Sequence, residues 1–205
     1  DARYQNTGQS CIAAKRFILV EAIRAEFERK FVERVRRLRV GDPFADGVDL
    51  GPMSRRELRD GLHQQVRRSV DAGAELLCGG VLPQGPGAYY PTTVLGGVRT
   101  GMAAWSEELF GPVASLIAVK DEDEAIAVAN ATEFGLSASV WTRDLKRGEH
   151  IAAEKIQSGA CFVNAMSKSD PRMPFGGIKS SGYGRELGES GIREFVNVHA
   201  VWVEA

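Results

Sequence analysis

The residue best suited to chemistry is a cysteine near the start of the chain, in the segment Asn6-Thr7-Gly8-Gln9-Ser10-Cys11-Ile12-Ala13-Ala14-Lys15. Cys11 follows a glycine turn and precedes a short alanine-containing stretch that could open a helix. Amide groups at a helix start favour a thiolate and would also face the oxyanion formed when it attacks a carbonyl carbon. A lone cysteine among small residues is more often buried and inert, so the segment alone leaves both interpretations open.

A second cluster, residues 107–112, places two carboxylates and an aromatic ring directly before an apolar run. A carboxylate there could accept the hydroxyl groups of a sugar, and the ring of Phe110 could stack on a flat heterocycle. The alternative is an ordinary helix end followed by a turn. Glu107, Glu108 and Phe110 are therefore candidates for ligand binding.

A third cluster, residues 174–186, contains more glycine than an ordinary turn needs, which implies close approach of its backbone to something else. It is not a dinucleotide-binding fingerprint, because Leu187 stands where the third glycine after Gly182 and Gly184 is required. No other GxGxxG pattern occurs in the chain.

The composition narrows the classes of partner. The 26 basic and 27 acidic side chains leave a net charge of -1 in 205 residues, which predicts no general attraction to nucleic acid or anionic lipid. No apolar run approaches the ~20 residues that span a bilayer. The three separated cysteines argue against a disulfide framework and a structural zinc site, and they favour the reducing cytoplasm. We expect a small-molecule partner and no metal, and the start at Asp1 suggests a cut inside a longer protein.

Strands and helices alternate along the chain, which predicts an α/β fold with a mostly parallel sheet. Residues 16–20, 74–78, 92–95, 113–119, 138–141 and 161–164 are the predicted strands, and residues 24–37, 54–72, 121–131 and 145–156 are the predicted helices. Residues 195–203 predict a terminal strand that could pair with another chain or domain. We therefore expect a catalytic domain over residues 1–190 and a strand segment over residues 191–205 that supports a homo-oligomer.

The three clusters, in this order and separation, resemble the aldehyde dehydrogenase superfamily from its nucleophile to its C-terminus. The likeness covers essentially the whole chain. Two stretches of sequence are most similar to bacterial succinate-semialdehyde dehydrogenases, namely residues 3–17 and the ending Gly191-Ile192-Arg193-Glu194-Phe195. The resemblance implies a three-layer α/β catalytic domain and oxidation of an aldehyde to a carboxylic acid, with NAD or NADP as the cofactor.

The resemblance also implies roles for individual residues. Cys11 would attack the aldehyde through its thiolate and supply part of the oxyanion hole through its backbone N–H. Glu108 would bind the nicotinamide ribose, and Phe110 would pack beside the nicotinamide ring. Phe175 would line the substrate tunnel, and Asn164 would lie on the strand leading to it. The family's general-base glutamate, oxyanion asparagine and dinucleotide-binding sheet precede the nucleophile, so this chain is expected to lack them.

A dicarboxylic semialdehyde also needs an anchor for its distal carboxylate. Some family members use an arginine six residues before the nucleophile, where this chain has Gln5. The remaining candidates for this anchor are Ser169, Lys168 and Arg172, in the loop before Pro174. Solvated polar surface is the alternative interpretation of that loop.

Two other classes of function remain open from the sequence. A cysteine hydrolase would pair Cys11 with His63, His150 or His199, each of which is also consistent with a surface or packing role. A non-catalytic assembly module would use only the terminal strand. Within the enzyme class, a coenzyme A-acylating aldehyde dehydrogenase would share Cys11 and lose thioester hydrolysis.

Overall fold

The apolar run at residues 113–119 lies at the centre of a four-stranded sheet in the computed structural model, which describes residues 1–205. The strand order is β1 (Arg16–Val20), β4 (Val113–Val119), β3 (Thr93–Gly96) and β2 (Glu75–Cys78). Both β1 and β3 pair with β4 in parallel, whereas β2 pairs with β3 antiparallel. The predicted mostly parallel α/β sheet is confirmed, with one antiparallel strand at an edge.

This sheet belongs to the first of two units, Asp1–Thr132 and Glu133–Ala205. The predicted domain boundary between residues 190 and 191 falls inside the second unit. The helices of the first unit are α1 (Glu21–Arg36), α2 (Arg56–Asp71), the short α3 (Ala103–Ser106) and α4 (Glu122–Asn130). These bounds agree with the predicted helices, apart from α3, which the sequence did not indicate.

Strand β4 is buried on both faces because alternate residues point into two separate apolar cores. Val113 and Ile117 pack into a core with Leu62 and Val66 of α2. Ala114 and Leu116 pack into a second core with Val35 of α1, beside the stacked rings of Phe27 and Phe31. Helices therefore cover both faces of the sheet, as the three-layer prediction requires.

Helix α4 has a side-chain cap at its start, whereas α2 has none. The side chain of Asp121 caps α4 by accepting a hydrogen bond from the backbone N–H of Glu124 at 3.0 Å. Ser54 does not cap α2, because Arg55 is the residue that precedes the helix, and the side chain of Arg55 makes no capping bond. Ser54 instead binds a residue of the cysteine segment.

The second unit contains two small strand pairs. Strand β5 (Phe134–Gly135) pairs antiparallel with β8 (Ile178–Lys179), and β6 (Ser137–Val140) pairs in parallel with β7 (Ala160–Val163). The helix predicted over residues 145–156 begins as α5 (Leu145–His150) and continues as a π-helical turn, Ile151–Lys155. A short helix, α6 (Gly188–Arg193), follows the glycine-rich segment.

The terminal strand predicted over residues 195–203 is not formed in this chain. A strand requires a hydrogen-bonded neighbour, and none of the strands of the chain pairs with these residues. Large apolar side chains there are exposed to solvent, namely Phe195, Val198, Trp202 and Val203.

No helix of the chain has the length and apolar character needed to cross a membrane.

One buried hydroxyl joins α2 to α3 and offers a test of the first unit's packing. Ser69 is fully buried, donates to the carbonyl of Gln65 at 2.8 Å and accepts from the N–H of Ala104 at 2.9 Å. Ser69→Ala leaves that N–H without a partner, so we expect the free energy of unfolding to fall by about 1–3 kcal/mol in urea titrations. Ser106→Ala is the control, because Ser106 is an exposed residue of α3 whose hydroxyl makes one long bond, 3.3 Å to the Met102 carbonyl. It should change the free energy of unfolding by less than about 0.5 kcal/mol. Equal values for the two variants would contradict this account of Ser69.

Candidate active site

Cys11 lies in a tight turn with its side chain exposed. The N–H of Ala13 closes the turn by donating to the carbonyl of Ser10 at 3.1 Å. The helix expected to open at Cys11 is absent, and a 3₁₀ turn, Gln5–Gly8, precedes it instead. The N–H of Cys11 donates to no acceptor within the chain, so it is free to meet a developing oxyanion. Loop geometry rather than a helix dipole therefore presents the thiol.

Three consecutive residues before Cys11 have left-handed backbone conformations. The φ values are 49° at Asn6, 56° at Thr7 and 73° at Gly8. A β-branched residue such as Thr7 rarely occupies this region, at a cost of about 1–3 kcal/mol that surrounding contacts must offset. Such strain is concentrated at functional sites, and here it shapes the segment that presents the cysteine.

Side chains of this segment bind the body of the first unit at several points. The Tyr4 hydroxyl donates to the carbonyl of Thr93 at 3.0 Å, and the Thr7 hydroxyl donates to the carbonyl of Gly51 at 3.2 Å. The Gln9 amide oxygen accepts from both the N–H and the hydroxyl of Ser54, at 3.0 and 3.1 Å. These bonds hold the strained backbone in place.

Arg3 joins the cysteine segment to the turn that carries Glu108. Its guanidinium is almost fully buried, at 1% exposure, and donates to the carbonyls of Gly8 and Leu109. Burial lowers the pKa of Arg3 to about 10, and the charges of Tyr4 and Glu108 oppose that shift. Arg3 therefore remains a cation at neutral pH, and it binds both the cysteine segment and the turn that carries Glu108.

Lys15 connects Cys11 with the candidate cofactor residues. Its ammonium nitrogen lies 3.2 Å from Glu108 Oε1, 3.3 Å from the carbonyl oxygen of Cys11 and 6.0 Å from the centre of the Phe110 ring. Burial and the charge of Arg3 lower the pKa of Lys15, while Glu108 and Cys11 act in the opposite direction. The structure thus brings the segments of Cys11, Glu108 and Phe110 together, as the roles implied by the resemblance require.

The two carboxylates of the second cluster have different environments. Both oxygens of Glu107 bind the Arg68 guanidinium, at 2.8 and 2.7 Å, and the Gln65 amide also donates to it. These contacts lower the pKa of Glu107 and fix it to α2. Glu108 has a single ionic partner, Lys15, and its side chain is 43% exposed. Only Glu108 can therefore offer free carboxylate lone pairs to a diol.

Phe175, in the second unit, lies in a two-residue bridge next to the glycine-rich segment. It exchanges backbone hydrogen bonds with Glu186 at 2.7 and 2.8 Å, and its ring is partly buried. The close approach that the glycines predicted is confirmed, and the partner is the chain itself. A side chain on Gly159 would overlap the carbonyl of Gly176, and one on Gly176 would overlap the carbonyl of Gly184.

Asn164 follows β7 instead of lying on it, in a left-handed conformation with φ 52°. Its amide oxygen accepts from the N–H of Thr142 at 2.9 Å, and its amide nitrogen donates to the carbonyl of Thr142 at 2.8 Å. Both polar ends of this side chain are thus used to hold the backbone after β6.

The loop before Pro174 exposes the candidate Ser169 and its neighbour Lys168. Arg172, the other cation of this loop, is already paired with Asp170 through contacts of 2.7 and 2.9 Å. That pairing lowers the pKa of Asp170 below its usual range. Arg172 is therefore a poor anchor for a substrate carboxylate, whereas Ser169 and Lys168 remain accessible.

Gln5, six residues before Cys11, has a buried amide nitrogen with no hydrogen-bond partner. A buried donor without a partner costs about 1–3 kcal/mol, so its presence is informative. An acceptor supplied from outside this chain would satisfy it.

The only histidine of the first unit is His63, and its Nδ1 lies 3.1 Å from the Tyr90 hydroxyl. It makes no hydrogen bond with Cys11, so the first unit contains no cysteine–histidine pair. His150 and His199 lie in the second unit and are exposed. No group of three or more His, Cys, Asp or Glu side chains is arranged to hold a metal ion.

A family model described as aldehyde dehydrogenase family matches residues 1–201. The chain belongs to the aldehyde dehydrogenase family. It is 48% identical to succinate semialdehyde dehydrogenase [NAD(P)+] Sad of Escherichia coli K12 over 200 residues, and 48% identical to succinate-semialdehyde dehydrogenase [NADP(+)] of Mycobacterium leprae over 201 residues. In each case the match covers 98% of this chain and 43% or 44% of the relative. The chain thus spans less than half the length of these relatives.

Solved structures of the family agree with the fold. Succinic semialdehyde dehydrogenase from Streptococcus pyogenes, solved with NADP+, superposes with a TM-score of 0.95 at 35% identity over 100% of this chain and 45% of that one. Betaine aldehyde dehydrogenase from Staphylococcus aureus, solved with NAD+, gives 0.90 at 30% identity over 95% of this chain and 39% of that one. The predicted family and α/β architecture are confirmed.

Sequence reasoning missed the two cations that flank the cysteine. The sequence patterns assign no role to Arg3 or Lys15 beyond their place in the motif. A signal was present, because two basic residues stand in a fifteen-residue stretch that is otherwise rich in small and uncharged side chains. What the sequence did not indicate is that both would be buried beside Glu108.

Gly8 offers a direct test of the contact between the cysteine segment and the Glu108 turn. A methyl group on Gly8 would overlap the carbonyl of Gly111 in a backbone with φ +73°. We expect Gly8→Ala to lower the free energy of unfolding by more than about 2 kcal/mol, measured by urea denaturation. Gly97→Ala is the matched control, since its φ is +60° and its nearest contact is 3.9 Å away. It should cost only about 1 kcal/mol, and similar losses in both variants would show that the overlap is unimportant.

Proposed function

We propose that this chain is the catalytic portion of an NAD(P)-dependent aldehyde dehydrogenase that oxidises succinate semialdehyde, with Cys11 as its nucleophile. The observation that carries the proposal is that Lys15 joins the loop of the exposed Cys11 to the accessible carboxylate of Glu108. Its ammonium nitrogen lies 3.3 Å from the Cys11 carbonyl oxygen and 3.2 Å from Glu108 Oε1. Similarity to succinate-semialdehyde dehydrogenases over 98% of the chain supports the choice of substrate.

In the proposed reaction the Cys11 thiolate adds to the aldehyde carbon, so that a carbon–sulfur bond forms and the carbonyl electrons move to oxygen. The free N–H of Cys11 donates to that oxyanion. Bound NAD(P)+ supplies the hydride acceptor. The aldehyde carbon, having lost its hydride, becomes a thioester on Cys11. Water then cleaves the carbon–sulfur bond, which releases the carboxylic acid and restores the thiol.

The residues of the second cluster fit a nicotinamide nucleotide. Glu108 keeps one carboxylate oxygen free of Lys15, and the side chain is 43% exposed, so it can accept hydrogen bonds from ribose hydroxyls. Phe110 is 39% exposed and presents its ring as an apolar surface for the nicotinamide. We assign Glu108 to ribose binding and Phe110 to packing beside the ring.

We further assign substrate contacts to Phe175, Gln5 and Ser169. Gln5 is favoured by its unpartnered buried amide, which can donate to a substrate oxygen. Ser169 is favoured by its accessibility in a loop whose arginine is already paired. Asn164 receives a supporting role, because its amide holds Thr142 and thereby the backbone after β6. We place the enzyme in the cytoplasm, where its free thiols stay reduced.

The proposed mechanism also requires a general base and an oxyanion-hole asparagine that the family supplies upstream of the nucleophile. We infer that the 205-residue chain carries the thiol site without the complete machinery for turnover.

Turnover measurements with matched proteins test this function. We expect the 205-residue chain to produce no NAD(P)H from succinate semialdehyde, because the base and most of the cofactor site lie outside it. A protein that joins the chain to its own upstream coding sequence should turn over, and Cys11→Ser in that protein should reduce kcat by at least about 10³-fold. Cys78→Ser, which removes a half-buried thiol, is the control and should retain activity. Robust turnover by the Cys11→Ser variant would refute the nucleophile assignment.

We also propose that the segment over residues 191–205 pairs with another chain or domain as a strand, so that the protein forms a homo-oligomer. Its exposed Phe195, Val198 and Trp202 favour such pairing, since apolar side chains in water gain free energy on burial.

Gel filtration with light scattering tests the segment. We expect the chain to self-associate and a variant that lacks the last ten residues to be monomeric, because the truncation removes most of the exposed apolar side chains of this segment. Trp141→Ser, which removes an exposed apolar residue from the end of β6, serves as the control and should associate like the parent chain. A parent chain that stays monomeric at all concentrations would remove the basis for this role.

A further inference from the structure

The charges around Cys11 do not cancel within the first unit. Arg3 and Lys15 contribute two positive charges, and Glu108 contributes one negative charge. Glu107, the next carboxylate along, is neutralised by Arg68 in a two-bond ion pair. Asp1 is exposed, so water screens its carboxylate. The sum is one positive charge without a carboxylate partner.

The burial of Arg3 makes this excess charge effective. Its guanidinium is 1% exposed and donates only to the carbonyls of Gly8 and Leu109, and its Nε has no partner at all. Lys15 is also mostly buried, with 20% of its side chain exposed. Water and salt screen buried charges much less than surface charges, so their field reaches the open side of the loop.

Both cations contact the backbone of the loop that carries Cys11. The Lys15 ammonium contacts the carbonyl of Cys11, and Arg3 contacts the carbonyl of Gly8, three residues before it. Both cations therefore donate to carbonyls of the same short loop, and the Cys11 thiol of that loop faces solvent.

We propose that Arg3 and Lys15 give the Cys11 site one uncompensated positive charge, which makes it select anionic electrophiles over neutral ones. The inference rests on the proposed function only for the identity of the natural electrophile, a short aldehyde that carries a carboxylate. Arg3 and Lys15 act as positioning residues that attract and orient such a substrate. They add a long-range contribution to the hydrogen bond proposed for Gln5.

Alkylation of the chain measures this field without any cofactor or turnover. Iodoacetate and iodoacetamide both react by forming a sulfur–carbon bond and expelling iodide, and they differ by one negative charge. The rate at Cys11 is followed by mass spectrometry in a Cys78→Ser, Cys161→Ser background at pH 7 and low salt. The iodoacetate to iodoacetamide rate ratio is then divided by the ratio for a cysteine peptide of neutral charge. We expect a normalised ratio of about three to five for the chain.

Variants with opposite charge changes separate this effect from a structural one. Lys15→Met should lower the ratio about three- to fivefold, Lys15→Arg should restore it, and Glu108→Gln should raise it by a similar factor. Salt at about 0.5 M should bring all the ratios toward that of the peptide. Lys120→Met is the matched control, because Lys120 is an exposed lysine that follows β4 at the end of the sheet opposite Lys15. It should leave the ratio unchanged.

The proposal is overturned by a parent ratio equal to that of the peptide, or by shifts of the same sign in Lys15→Met and Glu108→Gln. Circular dichroism and urea titration of each variant establish that it is folded before its ratio is used. The test is independent of the proposed reaction, since a failure of dehydrogenase turnover would leave the alkylation ratio intact. A normal ratio in an active enzyme would refute the charge selection alone.

Discussion

The contact between the cysteine segment and the turn that carries Glu108 is the constraint on which the site depends. Gly8 approaches Gly111 so closely that no side chain fits between them, and the Arg3 guanidinium crosses the same boundary to Leu109. The left-handed backbone at Thr7 is tolerated only because such contacts hold it. The segments that carry the thiol and the carboxylate are therefore held together by one set of contacts.

The sheet explains why two segments about a hundred residues apart meet at this place. Strands β1 and β4 run in parallel as neighbours, and the residues just before each strand emerge at the same edge. Cys11 and Lys15 precede β1, while Glu108 and Phe110 precede β4. Burial of β4 on both faces fixes this register, because a shift by one residue would exchange its two apolar cores.

Electrostatics at the site follows from burial as much as from composition. The whole chain has a net charge of -1, yet the loop around Cys11 has an excess of positive charge. The difference arises because Glu107 is fixed to Arg68 and Glu108 alone faces two buried cations. At an exposed thiol, such local fields matter more than the average charge of the surface.

The sequence by itself determined the family, the alternation of strands and helices, and the candidate residues Cys11, Glu108 and Phe110, because apolar periodicity and short motifs are local properties. Only the tertiary structure decided that no helix opens at Cys11, that Ser54 binds Gln9, and that Glu107 and Glu108 have different ionic partners. It also placed Arg3 and Lys15 in the site and left residues 195–203 without a strand partner. These outcomes depend on which distant groups come into contact, and neither local propensity nor residue type specifies a partner.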